Sequence, residues 1–488
     1  MVDSAGARPG THDGAGDGAD GHPPVPSPGR RARHVVIIGG SIAALLTART
    51  LSDHADRVTI IERDRLPAGP EPRAGVPQSR HTHVLLEGGA RALEELLPGI
   101  LAELRAQGSP RVGMPRDLVH WQSGRFYRRT ASTHHLLTGT RPALEWLVRR
   151  RVLADSRITV VEGTEVVGLL GDASRVRGVR VRERGARTRT EVRSFPADLV
   201  VDASGRGSRA PDWLAGIGAD PAHEETLDTG LAYATRLFRG ADGPDGAECP
   251  AYNFTPDGRH VRGAVVLPVE DGRHLVTLSG LRGNEPPSEE DGFTGFAAGL
   301  GHPVVHDWLL KARPESPVHA FRATASVRRR YDLPGRRPAG FLAAGDALCS
   351  FNPVYGQGMS VAALGALALR DALADPRRTP TTRRVQRALL DASRQAWKIA
   401  SGADRELPGA RGNATGTRWV DRPGAWYLAR VVERAPGDPV VGAAFRAALA
   451  LTSSTAVLFA PPVLRAVLFG PVRPTPSAPP ANPEPAAG

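Results

Sequence analysis

The stretch that decides the fold is His34–Leu51, HVVIIGGSIAALLTARTL. Val35–Ile38 is a β-branched run suited to a buried central strand, and Ile42–Leu51 has the apolar spacing of a packed helix. Between them lies the place for a Gly-x-Gly-x-x-Gly turn, which lets backbone approach a pyrophosphate at a helix N-terminus. Gly39 takes its first position, Ser41 its second and Ala44 its third. Ser41 can donate to phosphate and Ala44 permits close helix packing, although serine accepts a positive φ less readily than glycine. Glu62 follows Gly39 by 23 residues, at the end of a second β-branched strand, Val58–Ile61. That is near the ~20-residue offset of a carboxylate that holds a ribose hydroxyl pair. A βαβ unit without ligand is the bland alternative; strand, turn, helix, strand and acid in register favour a bound dinucleotide.

About 300 residues later, Gly340–Ala362 reads GFLAAGDALCSFNPVYGQGMSVA. A hydrophobic strand runs into Gly345-Asp346, and a turn through Pro353 leads by Gly356-Gln357-Gly358 into an apolar helix. An acid and a helix N-terminus thus meet at one spot, which suits an anionic ring and sugar-alcohol hydroxyls. Paired with the N-terminal turn, this arrangement points to a flavin.

A third segment, Asp198–Pro211, reads DLVVDASGRGSRAP, a strand with a sharp turn out of it. It resembles flavin-dependent aromatic hydroxylases of the p-hydroxybenzoate hydroxylase class, with Ser204-Gly205 standing where Asp-Gly is usual. Glu62-Arg63-Asp64 followed by Arg73–His83, RAGVPQSRHTH, is similar to bacterial polyene and polyether epoxidases, relatives of squalene epoxidase. Gly345-Asp346 with Pro353, Gly356, Gly358 and Met359 follows the same spacing. The resemblance spans roughly residues 35–370 and implies FAD as cofactor and NAD(P)H as transient reductant. It further implies a C4a-hydroperoxyflavin that epoxidises or hydroxylates an apolar unsaturated natural product. Gly39 and Ser41 would then cradle the pyrophosphate, Glu62 would hold the adenosine ribose, and Arg63 would stack on adenine or meet phosphate. Asp346 would bind the ribityl chain, and the Gly356–Met359 turn would lie against the pyrimidine edge of the flavin. Arg141 opens a helix, where the dipole does not favour a cation; the family often supplies a further FAD contact there.

The fold class expected is α/β, a Rossmann-like FAD-binding domain with an inserted antiparallel-sheet substrate domain and a C-terminal helical region. A disordered leader over 1–32 precedes a first FAD-binding part at 33–215, with a substrate-lobe insertion near 110–135. A β-sheet substrate domain at 216–330, a return segment at 331–375, a helical region at 376–470 and a disordered tail at 471–488 complete the chain. Gly230–Phe238, His260–Leu267 and His274–Leu278 have strand-like spacing between Gly, Asp and Pro turns. Phe238, Tyr252, Phe254 and Phe321, with Trp121, Phe126 and Tyr127, are candidates to line an apolar cavity; core packing is the competing reading for each. His81 and His83 share one face of an extended segment. They lack a third ligand of the kind a zinc site needs, so no metal is expected and His81 is read as flavin-proximal.

The 488 residues exceed what one core usually serves, and 41% apolar content permits large cores. Two cysteines, Cys249 and Cys349, imply neither a disulfide framework nor a zinc ribbon and fit a reducing cytoplasm. The net charge of +12 is nearly all arginine, since Lys311 and Lys398 are the only lysines. Its basic triplets lack interleaved aromatics, so nucleic acid is not expected as a partner. The residues at 1–32 lack an apolar signal core. Val457–Leu468 is too short to span a bilayer and reads as a capping helix, with peripheral membrane contact the sharper alternative. The partners expected are an apolar small molecule and O2, with no obligate protein partner. A dehydrogenase or prenyl reductase of the same fold, or a non-catalytic flavin-binding protein, are the alternatives. A halogenase is disfavoured because only two lysines occur and no W-x-W-x-I-P run is present.

Overall fold

A computed structural model describes residues 33–185, 191–240, 251–322, 324–416 and 422–480. The leader at 1–32, Cys249 and the end of the tail from 481 lie outside the described residues.

The β-branched runs form the centre of a five-stranded parallel sheet. Its strands lie in the order Phe341–Ala343, Leu199–Asp202, His34–Ile38, Arg57–Ile61, Ile158–Val161. Strands buried on both faces carry near-continuous apolar sequence, as VVII and VTII do here. Register sets Ile38 opposite both Ile61 and Asp202. The turn after Ile38 therefore starts beside Glu62 on one flank and Ala203 on the other. Helix Ile42–Leu51 packs against helices Arg141–Val152 and Gly358–Ala374, and Thr382–Arg405 packs on the last of these. Val36, Ile37, Leu45, Leu46, Ile60 and Leu369 are wholly buried in this core.

A second sheet has the order Arg313–Pro314, Ala232–Arg239, Arg273–Gly280, Arg262–Val269, Ala251–Phe254, Leu118–Gln122, Arg125–Phe126. His319–Phe321 also pairs with Ala232–Arg239. All pairings are antiparallel except that of Ala251–Phe254 with Leu118–Gln122, where the early insertion joins the sheet. Helices Glu290–Ala297 and Val304–Lys311 cover one face through Phe293, Val305 and Trp308. Helices Arg422–Arg434, Pro439–Leu449 and Pro461–Leu468 build a third core with Tyr127 of the insertion. The tail is pinned over its first ten residues: Arg473 Nε lies 3.3 Å from Asp438 Oδ2, and Arg129 Nη1 donates to Pro480 O at 3.0 Å. Among the described residues no helix is long and apolar enough to cross a membrane.

Candidate functional site

The glycine turn places its glycine where the backbone needs one. Gly39 has φ +97°, and a Cβ there would stand 2.7 Å from Ala203 O. Gly40 N donates to Glu62 Oε2 at 2.7 Å, and a Cβ on Gly40 would meet that oxygen at 2.9 Å. Ser41 is extended, with φ −94°, so the expected penalty for serine does not arise. Its hydroxyl donates to Glu145 Oε2 at 2.7 Å instead of capping helix Ile42–Leu51. The first amides of that helix are left without a side-chain acceptor, and Ile42 and Ala43 form part of a cavity wall.

Beneath this turn lies a buried ionic cluster. Arg73 Nη1 is 2.9 Å from Asp64 Oδ2 and 3.2 Å from Glu62 Oε2, and its Nε donates to Glu145 Oε1 at 3.2 Å. Arg141 Nη2 donates to Ser41 Oγ at 2.8 Å and reaches Glu145 Oε2 at 3.2 Å. Burial pushes the Glu145 carboxyl up, but Arg141 and Arg73 together hold it below the usual range. Arg141 is 9% exposed, and its Nε is buried without a partner. Arg63 is exposed on the same rim and donates to Gly75 O at 3.4 Å.

The return segment reaches this place from the far end of the chain. Gly345, with φ +56°, brings the backbone against Ala43, where a Cβ would be 2.5 Å from that residue's own Cβ. No described protein group hydrogen-bonds the Asp346 carboxylate, which opens on the cavity. Burial pushes that carboxyl up, opposed by Arg206 and Arg141. Pro353–Tyr355 forms one 3-10 turn ending at Gly356, φ +62°, and Gly358 begins a 17-residue helix with no side-chain cap. A Cβ on Gly358 would lie 3.8 Å from Asp346 Oδ1, so acid and helix start are adjacent. Met359 is nearly buried at the same helix start, and the buried Gln357 Oε1 has no partner. Asp404 braces the turn from behind, accepting from Tyr355 OH at 2.8 Å and Asn352 Nδ2 at 3.1 Å. Burial raises its carboxyl to about 6.

These segments converge on a cavity of about 1430 Å³. Gly39, Ser41, Glu62, Arg63, Arg141, Asp346, Pro353, Gly356, Gly358 and Met359 all line it, and so does His81. His81 is buried, its Nδ1 lies 2.8 Å from Thr235 Oγ1, and its ring meets Tyr233 edge-on at 4.6 Å. Burial, reinforced by His83, His319 and Arg80, lowers it to about 3, so the ring is neutral at physiological pH. Among the described residues no group of three or more His, Cys, Asp or Glu could hold a metal.

Phe238, Tyr252 and Phe254 are corrected. All three belong to the core on the opposite face of the sheet, under Phe293 and Trp308. Side chains alternate along a strand. The cavity receives Tyr233, Asn253, Val265, Leu267, Thr277 and Ser279, and the neighbouring positions turn away. Trp121 and Phe126 share that far core, whereas Phe321 and Tyr127 do line the cavity. The sequence reading gave Arg73 no role and missed Glu145 and Asp404, together with the wall given by the C-terminal helices, including Val431, Phe445, Arg446 and Leu449. The four-residue spacing of Arg141 and Glu145 on one helix was an available signal for part of the ionic cluster.

The residues present fit a flavin dinucleotide. A glycine cradle, an uncapped helix start and an orphaned guanidinium nitrogen suit a pyrophosphate. Glu62 and the unpartnered Asp346 stand at two separate turns of the same cavity, as two sugar moieties require. The volume exceeds the roughly 300–1,000 Å³ of an ordinary small-molecule pocket, leaving room for a second ligand.

Comparison with known proteins agrees. A family model described as FAD binding domain matches residues 32–402. Protein Rv3254 of Mycobacterium tuberculosis (strain ATCC 25618 / H37Rv) is 33% identical over 442 residues, covering 88% of this chain and 92% of that protein. The flavin-dependent brominase Bmp2 superposes with a TM-score of 0.61 at 14% identity, over 86% of this chain and 93% of its own. PqsL of Pseudomonas aeruginosa, described as a probable FAD-dependent monooxygenase, gives 0.53 at 18% identity, over 76% and 94%. The chain belongs to the FAD binding domain family, and its fold is that of flavin-dependent oxidoreductases.

Proposed function

We propose that this protein is a single-component FAD-dependent monooxygenase that epoxidises or hydroxylates an apolar unsaturated natural product. The observation that carries the reading is the shape of the cavity: the flavin-type turns open directly onto a chamber walled by apolar helices and one sheet face. NAD(P)H would supply two electrons and O2 two oxygen atoms, one entering the product and the other leaving as water. When bound, FAD supplies electron transfer and oxygen activation.

The chain's own part is binding, orientation and exclusion of water. Gly39, Gly40 and the start of helix Ile42–Leu51 would seat the pyrophosphate, with Arg141 adding charge. Glu62 and Asp346 would accept from sugar hydroxyls. The amides at Gly358 and Met359 would face the pyrimidine edge, where negative charge accumulates on reduction. Asp404 fixes that turn through Tyr355 and Asn352. His81 is a neutral wall residue held by Thr235, and it would help to shape the pocket around the bound flavin.

The test is incubation of FAD-loaded protein with NADPH, labelled dioxygen and a panel of polyenes and aromatics, read by mass spectrometry. One labelled oxygen atom in the product supports the proposal. Substrate reduction under anaerobic conditions would instead identify a dehydrogenase or reductase, and incorporation of added bromide would identify a halogenase.

A further inference from the structure

Among the described residues, the substrate side of the cavity contains a buried cation with no carboxylate paired to it. Arg446, on helix Pro439–Leu449, is 9% exposed and lines the cavity. Its Nε donates to Thr133 Oγ1 at 3.0 Å, which fixes the plane of the guanidinium. Nη1 and Nη2 have no hydrogen-bond partner among the described residues, and no carboxylate pairs with the side chain. Gly442, one turn earlier, makes room for it: a Cβ there would lie 3.1 Å from Nη1 and 2.7 Å from Ala435 O.

Among the described residues the groups around Arg446 do not neutralise it. His120 stacks on Tyr127 at 4.2 Å, nearly parallel, and its Nε2 is buried without a partner. Burial, with the help of Arg446, lowers His120 to about 3, so it is uncharged at neutral pH. Burial raises the Tyr127 hydroxyl, which donates to Gln122 Oε1 at 3.0 Å. His134, whose pKa is lowered by burial, adds no negative charge. The neighbouring walls, Met114, Leu118, Val431, Phe445 and Leu449, are apolar. A buried cation without counter-charge is costly, and its ordinary resolution is an anionic partner.

We infer that the cavity takes a substrate with an apolar body and one carboxylate, and that Arg446 is the specificity-determining residue that receives it. A guanidinium whose two terminal nitrogens are free matches a carboxylate bidentately. A single unit of charge suits a monoanion, and a dianionic phosphate would leave excess charge buried. His120, its ring neutral, also lines the cavity. The inference rests on the proposed flavin reading, since it assigns Arg446 to the compartment beyond the cofactor.

The experiment is calorimetric titration of the FAD-loaded full chain with 2-naphthoate and with its uncharged methyl ester. The parent protein should bind the carboxylate at least about tenfold more tightly than the ester, about 1.4 kcal/mol. Arg446→Met should abolish that preference while leaving ester binding unchanged, and Arg446→Lys should retain part of it. Should Arg446→Met fail to fold, phenylglyoxal modification of the parent decides instead: 2-naphthoate should slow modification of the peptide containing Arg446. Equal binding of acid and ester, no binding of either, a preference that survives in Arg446→Met, or absence of protection overturns the inference. Visible flavin absorbance is recorded on the same samples. A yellow protein without preference refutes this subsite alone, whereas a colourless one refutes the reading beneath it.

Discussion

Replacing Asp346 should separate its service to a ligand from its effect on the fold. Among the described residues its carboxylate has no hydrogen-bond partner, and burial pushes its pKa up against Arg206 and Arg141. A carboxyl raised above its unfolded value contributes most to stability at low pH, and that contribution is lost as pH rises through the folded value. Ionisation of this group therefore opposes the flavin-free fold. Asp346→Asn should leave the melting temperature of flavin-free protein unchanged or raise it. Flavin retention should move the other way. A hydrogen bond to a charged acceptor contributes about 1.5–3 kcal/mol, so loss of one ribityl contact in Asp346→Ala should weaken FAD about 10- to 150-fold. Fluorescence of FAD released on dilution measures the affinity, and calorimetry measures the melt. The reasoning fails if Asp346→Ala holds FAD within about threefold of the parent, a difference too small for one such bond. It fails equally if flavin-free Asp346→Asn melts well below the parent.

Three further outcomes follow from the geometry. Gly39→Ala puts a Cβ 2.7 Å from Ala203 O in a backbone of φ +97° and should cost at least about 1–3 kcal/mol in urea denaturation. Asp404, raised to about 6, contributes stability that is full below about pH 4 and declines as pH rises through 6; Asp404→Asn should flatten the stability profile over that window. Glu145→Gln removes the shared partner of two buried arginines and should cost about 3–5 kcal/mol without FAD, with a smaller loss when saturating FAD brings its own anion beside Arg141.

Much of the cofactor side was legible because its signals are local. Gly39, Glu62, Gly345 and Asp346 follow strands whose apolar runs are unmistakable, and parallel pairing carries their turns to the same end of one sheet. The substrate side was not legible in the same way. Phe238, Tyr252 and Phe254 are as apolar as a pocket wall should be, but one position of strand parity separates them from Asn253 and Tyr233. In a sheet with apolar groups on both faces, periodicity marks the alternation and not which face is the core. Asp404 and Arg446 sit on helices whose docking direction depends on contacts remote in sequence: Tyr355 is 49 positions from Asp404, and Thr133 is 313 from Arg446.

Chain order in the parallel sheet bears on how the protein is made. His34–Ile38 pairs with Leu199–Asp202, which in turn awaits Phe341–Ala343, and the last described wall of the cavity is Phe459. A ribosome adding about 5–20 residues per second leaves the glycine turn roofless for roughly twenty to eighty seconds. The substrate wall closes last, so nascent chains halted before helix Pro439–Leu449 would be half-built vessels whose apolar linings face solvent.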